Sequence, residues 1–261
     1  MALHVESAGR GPAIVCWHGW GMNLRVFDAL SARLCATHRV IRVDLPGHGR
    51  SGWTGGAAPG AMLDQLMSTL PDRCTLLGWS LGATFALQAA MLAPGRIDAL
   101  ILLHATPRFT RAADWPQAVA PQLLEKFGAA LQADAHKTVM DFLELQLRGS
   151  RDAELIRRQL VMALSEHGAA RQEALAAGLA VLRDTDLREA LSGVMQPALV
   201  ISGQHDRLTP PAAGAALAAR LRHGRHLELP RAAHAAFMSH IDPVIAAASE
   251  FLQLEPVPAH G

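Results

Sequence analysis

Short apolar segments alternate with stretches of helical periodicity along most of this chain. The apolar segments predict strands at residues 3–6, 13–17, 40–43, 75–77, 99–103, 198–201 and 226–229. Amphipathic periodicity predicts helices at residues 23–34, 81–92, 211–221 and 243–254. This alternation indicates an α/β protein with a mainly parallel sheet that is covered by helices on both faces. We expect the first strand to pair antiparallel at an edge.

One long stretch, residues 107–193, interrupts this alternation. It has no run typical of a strand and shows only helical periodicity. One helix face there is formed by Val139, Phe142, Leu143 and Leu147. The stretch is too long for ordinary crossover helices between two strands. We therefore predict an all-helical lid at 107–193, inserted into a core made of residues 1–106 and 194–261.

A Gly-x-Ser-x-Gly pentapeptide lies between the strand predicted at 75–77 and the helix predicted at 81–92. It reads Gly78-Trp79-Ser80-Leu81-Gly82. This context is typical of the nucleophile elbow of a serine hydrolase, a sharp turn that exposes the serine hydroxyl. A serine hydroxyl is a weak nucleophile and needs an adjacent base and a fixed position. Ser80 is therefore the candidate nucleophile.

The acid and the histidine of a triad on such a sheet follow the nucleophile in that order, each beyond a strand. Asp206 follows the sixth predicted strand, and His234 follows the seventh. Neutral His234 would take the Ser80 proton and return it to the leaving alcohol, while Asp206 would orient the imidazole. Alternatives that fit less well by position are Asp186, His205 and His240.

An oxyanion hole is predicted from the loop after the first long strand, which reads His18-Gly19-Trp20-Gly21. The backbone N–H groups of Trp20 and Leu81 would face the reacting carbonyl oxygen. The His18 imidazole would only brace this tight loop.

Composition excludes several classes of function. The chain has 261 residues and a net charge of +1, so charge gives no reason to expect nucleic-acid binding. No apolar run is long enough for a membrane span, and residues 1–7 do not resemble a secretory signal. Cys16, Cys35 and Cys74 have no metal-ligand spacing, which favours free thiols, no bound metal and a cytoplasmic location.

A glycine-rich segment formally matches the dinucleotide-binding fingerprint. It reads Gly47-His48-Gly49-Arg50-Ser51-Gly52. Residues 45–46 separate it from the preceding strand, and residues 53–56 do not begin a helix. We predict a loop at this position and no cofactor.

Six segments carry a resemblance to a known family. They are residues 18–23, 44–51, 78–82, 138–146, 186–188 and 232–235. Together they are similar to the pimeloyl-acyl-carrier-protein methyl ester esterases of biotin synthesis, which have the α/β-hydrolase fold. The resemblance implies hydrolysis of the methyl ester of a pimeloyl chain on acyl carrier protein, which yields methanol and the carrier-bound acid. We expect a cytoplasmic monomer.

The resemblance also implies roles for particular residues. It assigns the triad to Ser80, Asp206 and His234. It places substrate contacts at Trp20, Ser80, Leu81, Phe142, Leu143, Glu144, Leu145, Gln146 and His234. Docking of the acidic carrier would use basic lid residues, with candidates Lys137, Arg148, Arg151, Arg157 and Arg158. Asp141 and Glu154 interrupt this basic set, and Ala83 stands where the family usually has a second glycine after the elbow.

Two other classes of function remain open from the sequence. One is a broad-specificity short-chain carboxylesterase or a C–C-bond hydrolase, because the fold and triad do not determine the substrate. The other is a non-catalytic binding protein with a hydrolase fold, although such a protein has no need for a complete triad. Labelling of Ser80 by a fluorophosphonate would distinguish the second class.

Overall fold

A computed structural model describes residues 2–54 and 60–254. Residues 55 and 56, part of the segment predicted not to begin a helix, lie outside the described residues. Within these residues, seven strands form one sheet in the order β1-β3-β2-β4-β5-β6-β7. They are β1 (Val5–Ala8), β2 (Ala13–Trp17), β3 (Arg39–Val43), β4 (Cys74–Trp79), β5 (Ile97–Leu103), β6 (Ala198–Gly203) and β7 (Gly224–Leu229).

The sheet is parallel except at the β1 edge, as the sequence predicted. β1 pairs antiparallel with β3, and the remaining strands pair parallel with their neighbours. Every residue of β2, β4 and β6 is buried. Strands covered on both faces have no solvated side, which explains their largely apolar sequences. The predicted α/β fold class is confirmed.

Ten α-helices are found in the described part of the chain. They are α1 (Asp28–Leu34), α2 (Ala61–Met67), α3 (Leu81–Leu92), α4 (Pro121–Ala133), α5 (Ala135–Leu147), α6 (Ala153–His167), α7 (Gln172–Asp184), α8 (Pro211–Arg220), α9 (Ala236–Ser239) and α10 (Ile241–Leu254). The helix predicted at 23–34 begins instead as a 3-10 helix, Leu24–Phe27, which Asn23 caps by accepting a hydrogen bond from Arg25 N–H. The sequence analysis missed α2.

The four helices α4–α7 form a helical insertion between β5 and β6. The insertion and the sheet share one hydrophobic cluster, in which Phe142 and Leu175 of the insertion join Trp20 and Leu81 of the core. The lid therefore packs directly on the carboxyl ends of the strands. The residue limits given above for the lid and core stay a prediction.

Two of the three cysteines, Cys16 of β2 and Cys74 of β4, are buried within the sheet. Burial raises the pKa of the Cys16 and Cys74 thiols to about 12 in each case, so both are protonated and poorly reactive at neutral pH. Among the helices of residues 2–54 and 60–254, none combines the length and apolar character that crossing a bilayer requires.

Candidate active site

The Gly-x-Ser-x-Gly pentapeptide forms a sharp turn between β4 and α3. Ser80 has φ 54° and ψ −114°, a conformation that a non-glycine residue rarely adopts. A Cβ on Gly82 would lie 2.0 Å from the Trp17 carbonyl oxygen, and one on Gly78 would lie 2.5 Å from Ala83 Cα. Both positions therefore require glycine. The turn leaves Ser80 Oγ buried without a hydrogen-bond partner among the described residues.

Asp206 lies in the loop after β6 and is buried. Its Oδ1 accepts the backbone N–H groups of Leu208 and Thr209 at 2.9 and 3.0 Å. Its Oδ2 accepts His234 Nδ1–H at 2.7 Å and the Thr209 hydroxyl at 2.7 Å. Burial alone would raise the pKa of Asp206, but the charge of His234 and hydrogen bonds from His104 and His234 outweigh it. The carboxyl pKa therefore lies well below its usual range.

His234 lies in the loop between β7 and α9, and its backbone is held on both sides. Its N–H donates to the Gln146 carbonyl oxygen of the lid at 3.2 Å, and its carbonyl accepts the Trp79 indole N–H at 2.9 Å. Because Nδ1 donates to Asp206, Nε2 is the free nitrogen of a neutral ring. Nε2 is buried and, like Ser80 Oγ, lacks a hydrogen-bond partner in the described part of the chain.

The alternative acid and histidines lie in other surroundings. Asp186 is partly exposed and pairs with Arg108 and Arg188, both at 2.7 to 2.8 Å. His205 is exposed and donates from Nδ1 to the Gly149 carbonyl at 3.1 Å. The ring of His240 bonds to the neighbouring hydroxyl of Ser239. Asp186 and His205 therefore have partners away from the Asp206–His234 pair.

The loop predicted to form an oxyanion hole is braced by buried histidines. His18 accepts Leu45 N–H at Nε2, and His48 lies with Nε2 3.4 Å from the Gly21 nitrogen. Burial lowers the pKa of His18 to about 3 and that of His48 to about 4, so both rings are neutral. Leu81 is the first residue of α3, and its N–H has no partner within that helix.

Part of the lid covers this loop and the elbow. The Phe142 ring packs edge-on against Trp20, with 4.8 Å between centroids, and lies 5.3 Å from Phe127. The Trp20 indole N–H donates to the Leu175 carbonyl of α7 at 2.8 Å. A Cβ on Gly178 would lie 2.8 Å from Trp20, so α7 approaches the loop as closely as its backbone allows.

The predicted substrate contacts on α5 do not all face the same way. Phe142, Leu143 and Gln146 are buried, and Leu145 is partly buried. Gln146 Oε1 has no hydrogen-bond partner among the described residues, although it is buried. The Glu144 side chain is 56% exposed and lies 3.9 Å from Arg157, so it points to the outer surface of the lid.

Three of the five basic residues predicted to dock the carrier are engaged with acids. Lys137 pairs with Asp141 at 2.6 Å. Arg157 and Arg158 share Glu154, at 3.0 and 2.9 Å. Much of the positive charge of these three residues is therefore neutralised locally.

The other two basic residues, Arg148 and Arg151, flank the turn between α5 and α6. Both are exposed, and within residues 2–54 and 60–254 neither side chain forms an ion pair. The Gly149 carbonyl of the same turn accepts the hydrogen bond from His205, next to Asp206. Arg148 and Arg151 thus lie near the loop that contains Asp206.

The comparisons with known proteins agree on one family. The model of the α/β hydrolase fold matches residues 12–241. The chain is 42% identical over 250 residues to the pimeloyl-acyl-carrier-protein methyl ester esterase of Stenotrophomonas maltophilia, covering 96% of each chain. It is 40% identical over 256 residues to the enzyme of the same name from Xanthomonas oryzae, covering 97% of this chain and 100% of the relative.

The chain belongs to this esterase family of the α/β hydrolases. Membership makes it a carboxylic ester hydrolase. Solved structures support the fold independently. An esterase from Exiguobacterium antarcticum superposes with a TM-score of 0.86 at 22% identity, covering 96% of this chain and 95% of that chain. A hydrolase from Pseudomonas aeruginosa superposes with a TM-score of 0.80 at 27% identity, covering 96% and 94%.

Three side chains that contact Asp206 or His234 were not predicted from the sequence. The Thr209 hydroxyl and His104 Nδ1 both bond Asp206 Oδ2, and the Trp79 indole bonds the His234 carbonyl. His104 follows the last apolar residue of β5, and a polar residue at the carboxyl end of a buried strand is a signal for such a role. Thr209 carries no comparable signal in the sequence.

Among the residues that the structure describes, two groups of histidine and carboxylate side chains lie close enough together to share a metal ion. In the first, His104, Asp206 and His234 are already joined by hydrogen bonds. The second contains His4, Glu6 and His167. Arg25 donates to Glu6 at 2.6 Å and to His167 at 3.3 Å, so a guanidinium occupies two of the donor atoms. Neither group offers free ligands to a cation, and we propose no metal.

The glycine-rich loop after β3 encloses a carboxylate of the protein itself. Asp44 is buried and accepts the backbone N–H groups of Leu24 and Arg50 at 2.8 and 2.9 Å. A Cβ on Gly49 would lie 2.4 Å from Asp44 Oδ2. Gly49 thus accommodates the buried Asp44 carboxylate.

Proposed function

We propose that this protein hydrolyses the methyl ester of a pimeloyl chain carried on acyl carrier protein. The observation that carries the proposal is the 42% identity, over 96% of the chain, to a relative named for this reaction. The arrangement of Ser80, Asp206 and His234 beneath a helical lid supports the same activity. Such a reaction releases methanol and the carrier-bound acid and needs no cofactor.

Ser80, His234 and Asp206 are the proposed catalytic residues. Ser80 Oγ attacks the ester carbonyl while His234 Nε2 accepts its proton, and Asp206 stabilises the imidazolium that forms. The backbone N–H groups of Trp20 and Leu81 would stabilise the oxyanion. Methanol leaves with the proton of His234, and a water molecule then hydrolyses the acyl-enzyme by the same steps. No other group among the described residues engages Ser80 Oγ or His234 Nε2, so both atoms are available for these roles.

The acyl chain is proposed to lie between the elbow and the lid. Trp20, Leu81, Phe142, Leu143 and Leu145 would supply apolar contact to its methylene groups. Gln146 is the polar group of this set, and its unpartnered Oε1 is available to a polar substrate atom. The outward orientation of Glu144 favours a solvent-exposed role over acyl contact.

The direct test compares the protein with Ser80→Ala on two substrates, the carrier-linked pimeloyl methyl ester and a short p-nitrophenyl ester. We expect the parent to hydrolyse both and the variant to lose on the order of 10⁶ in kcat. Activity on the short ester alone would favour a broad-specificity esterase. Absence of both activities and of fluorophosphonate labelling at Ser80 would favour a binding protein. Growth without biotin, in a strain that lacks this esterase, tests the substrate in cells.

Docking of the acidic carrier is proposed at Arg148 and Arg151, because the other three candidates, Lys137, Arg157 and Arg158, are paired with acids. Attraction between exposed charges is screened over about 10 Å at 0.1 M salt. Arg148→Glu/Arg151→Glu should therefore lower kcat/KM for the carrier-linked ester, most strongly at low salt. Hydrolysis of the uncharged p-nitrophenyl ester should not change.

Two matched double reversals control for net charge. Arg10→Glu/Arg39→Glu changes exposed residues near the amino ends of β2 and β3. These residues lie at the end of the sheet opposite the carboxyl ends on which the lid packs. We expect it to leave carrier-linked turnover unchanged. Arg157→Glu/Arg158→Glu should have a smaller effect than the Arg148/Arg151 pair. Equal losses from all three variants would mean that net charge, and not this turn, governs carrier binding. A monomeric state and a cytoplasmic location are part of the proposal.

A further inference from the structure

His104 connects the strand end of β5 to the loops that carry the proposed acid and base. It is buried, and its backbone N–H donates to Ile201 of β6 at 2.8 Å. Its φ of 52° lies in the left-handed region, where non-glycine residues are uncommon and tend to occur at functional sites. The ring lies 5.1 Å from that of His234, measured between centroids.

The hydrogen bonds of His104 determine its tautomer. The backbone N–H of Ala236 donates to Nε2 at 3.1 Å, so Nε2 must be an acceptor. The proton is therefore on Nδ1, which donates to Asp206 Oδ2 at 2.8 Å. A second proton on Nε2 would face the Ala236 N–H. Burial, the largest influence, lowers the pKa of His104, in keeping with a ring that stays neutral.

Asp206 Oδ2 therefore accepts hydrogen bonds from two imidazoles, His104 at 2.8 Å and His234 at 2.7 Å. The titratable groups that act on His104 are these two partners, Asp206 and His234. A carboxylate oxygen has limited acceptor capacity, and each donor reduces the negative charge available to the others. The second imidazole therefore weakens the hold of Asp206 on a protonated His234.

We propose that His104 is a positioning residue of the hydrolytic site, which orients the Asp206 carboxylate and the loop after His234. This inference rests on the triad roles proposed above. His104 does not touch the reacting atoms. Its Nδ1–H holds the Asp206 carboxylate, and its Nε2 holds the loop after His234 by accepting the Ala236 N–H. Through Nδ1–H it shares Asp206 Oδ2 with His234.

Two substitutions separate the two hydrogen bonds of His104. Asn places its side-chain nitrogen where Nδ1 lies, so His104→Asn retains the donor to Asp206 and loses the acceptor for Ala236. Gln places its side-chain oxygen near Nε2, so His104→Gln retains the acceptor and loses the donor. Asn also tolerates the left-handed backbone better than Gln. Unfolding temperatures are therefore measured for both variants, and kinetics are compared well below the lower of the two.

The assay is hydrolysis of a p-nitrophenyl ester across the pH range in which a histidine titrates, with separate kcat and KM values. His104→Gln should lose on the order of tenfold in kcat with little change in KM, because the imidazole is misplaced. The acid limb of kcat/KM should move to higher pH, because Asp206 Oδ2 has then lost one of its hydrogen-bond donors. His104→Asn should stay closer to the parent in both respects.

The proposal is overturned if the two variants lose activity equally, or if the acid limb stays in place while kcat follows the unfolding temperature. Either result would make His104 a purely structural side chain. Failure of the proposed function is a different result, since the parent itself would then neither hydrolyse the ester nor react with a fluorophosphonate at Ser80.

Discussion

The indole of Trp79 provides the sharpest test of how the base is held in place. Its N–H donates to the His234 carbonyl at 2.9 Å, and its side chain is buried. The ring also packs edge-on against Phe237, at 5.0 Å between centroids. Trp79→Phe keeps an aromatic ring at this position and removes the donor. The backbone of His234 then retains only the hydrogen bond from its N–H to Gln146.

The expected loss of stability has two parts. Leaving the buried His234 carbonyl unsatisfied costs about 1–3 kcal/mol. The smaller ring leaves a cavity that costs about 1 kcal/mol more. The free energy of unfolding should therefore fall by about 2–4 kcal/mol. A carbonyl that is free to move also lets the imidazole shift, and a misplacement of this kind lowers kcat by on the order of ten- to a hundredfold.

Trp17 offers a matched control. It is also fully buried, but its indole N–H has no hydrogen-bond partner in the described part of the chain. Trp17→Phe should therefore cost only the cavity, about 1 kcal/mol. Urea unfolding measures the difference between the two variants, and ester hydrolysis measures kcat. Equal stability losses in the two variants, together with an unchanged kcat for Trp79→Phe, would refute the reasoning.

Three further changes test other parts of the site. Phe142→Ala should lower kcat/KM for a pimeloyl ester by the equivalent of about 1–3 kcal/mol of activation free energy, and less for an acetyl ester. It should also lower the free energy of unfolding in urea by about 3–5 kcal/mol. Equal kinetic losses on the two esters would assign Phe142 to the fold alone. Asp206→Asn should lower kcat by roughly 10⁴. A carboxyl group with a depressed pKa stabilises the fold at pH values above its ordinary pKa of about 3.9, and this stabilisation is lost as the pH falls below that value. Asp206→Asn should therefore make the free energy of unfolding less dependent on pH in acid. An unchanged pH dependence would contradict the role of the Asp206 hydrogen bonds. Gly178→Val should push α7 away from Trp20 and Leu81 and thereby lower both the unfolding temperature and kcat. If both values stay at those of the parent, the lid does not need this close approach.

Much of the fold could be predicted from the sequence, because its signals are local. Buried parallel strands need apolar residues on both faces, so β2, β4 and β6 appear as continuous apolar runs. The elbow is specified by five consecutive residues around Ser80. Its two glycines are required because a Cβ at either position would clash with neighbouring backbone atoms. The 3-10 helix Leu24–Phe27 was not distinguishable from an α-helix, since both show the same apolar spacing over one turn.

In the candidate site, the sequence predicted only those residues that lie just beyond a predicted strand or within a recognisable turn. Asp206 and His234 each lie just beyond a strand, and parallel strands bring such positions to one edge of the sheet. Their roles remain proposals. The same reasoning selected five basic residues for the carrier, but it could not show that Glu154 engages Arg157 and Arg158. Pairing on a helix surface depends on side-chain conformation as well as spacing.

The sequence by itself thus determined the alternation of strands and helices, the elbow turn, and the placement of Asp206 and His234 just beyond strands. Only the tertiary structure decided that His104 shares an oxygen of Asp206 with His234, across 102 positions of the chain. It alone decided that the Gln146 carbonyl of the lid holds the backbone of His234. The physical reason is that these contacts depend on the order of strands in the sheet and on the packing of the lid, and neither leaves a periodic signal in neighbouring residues.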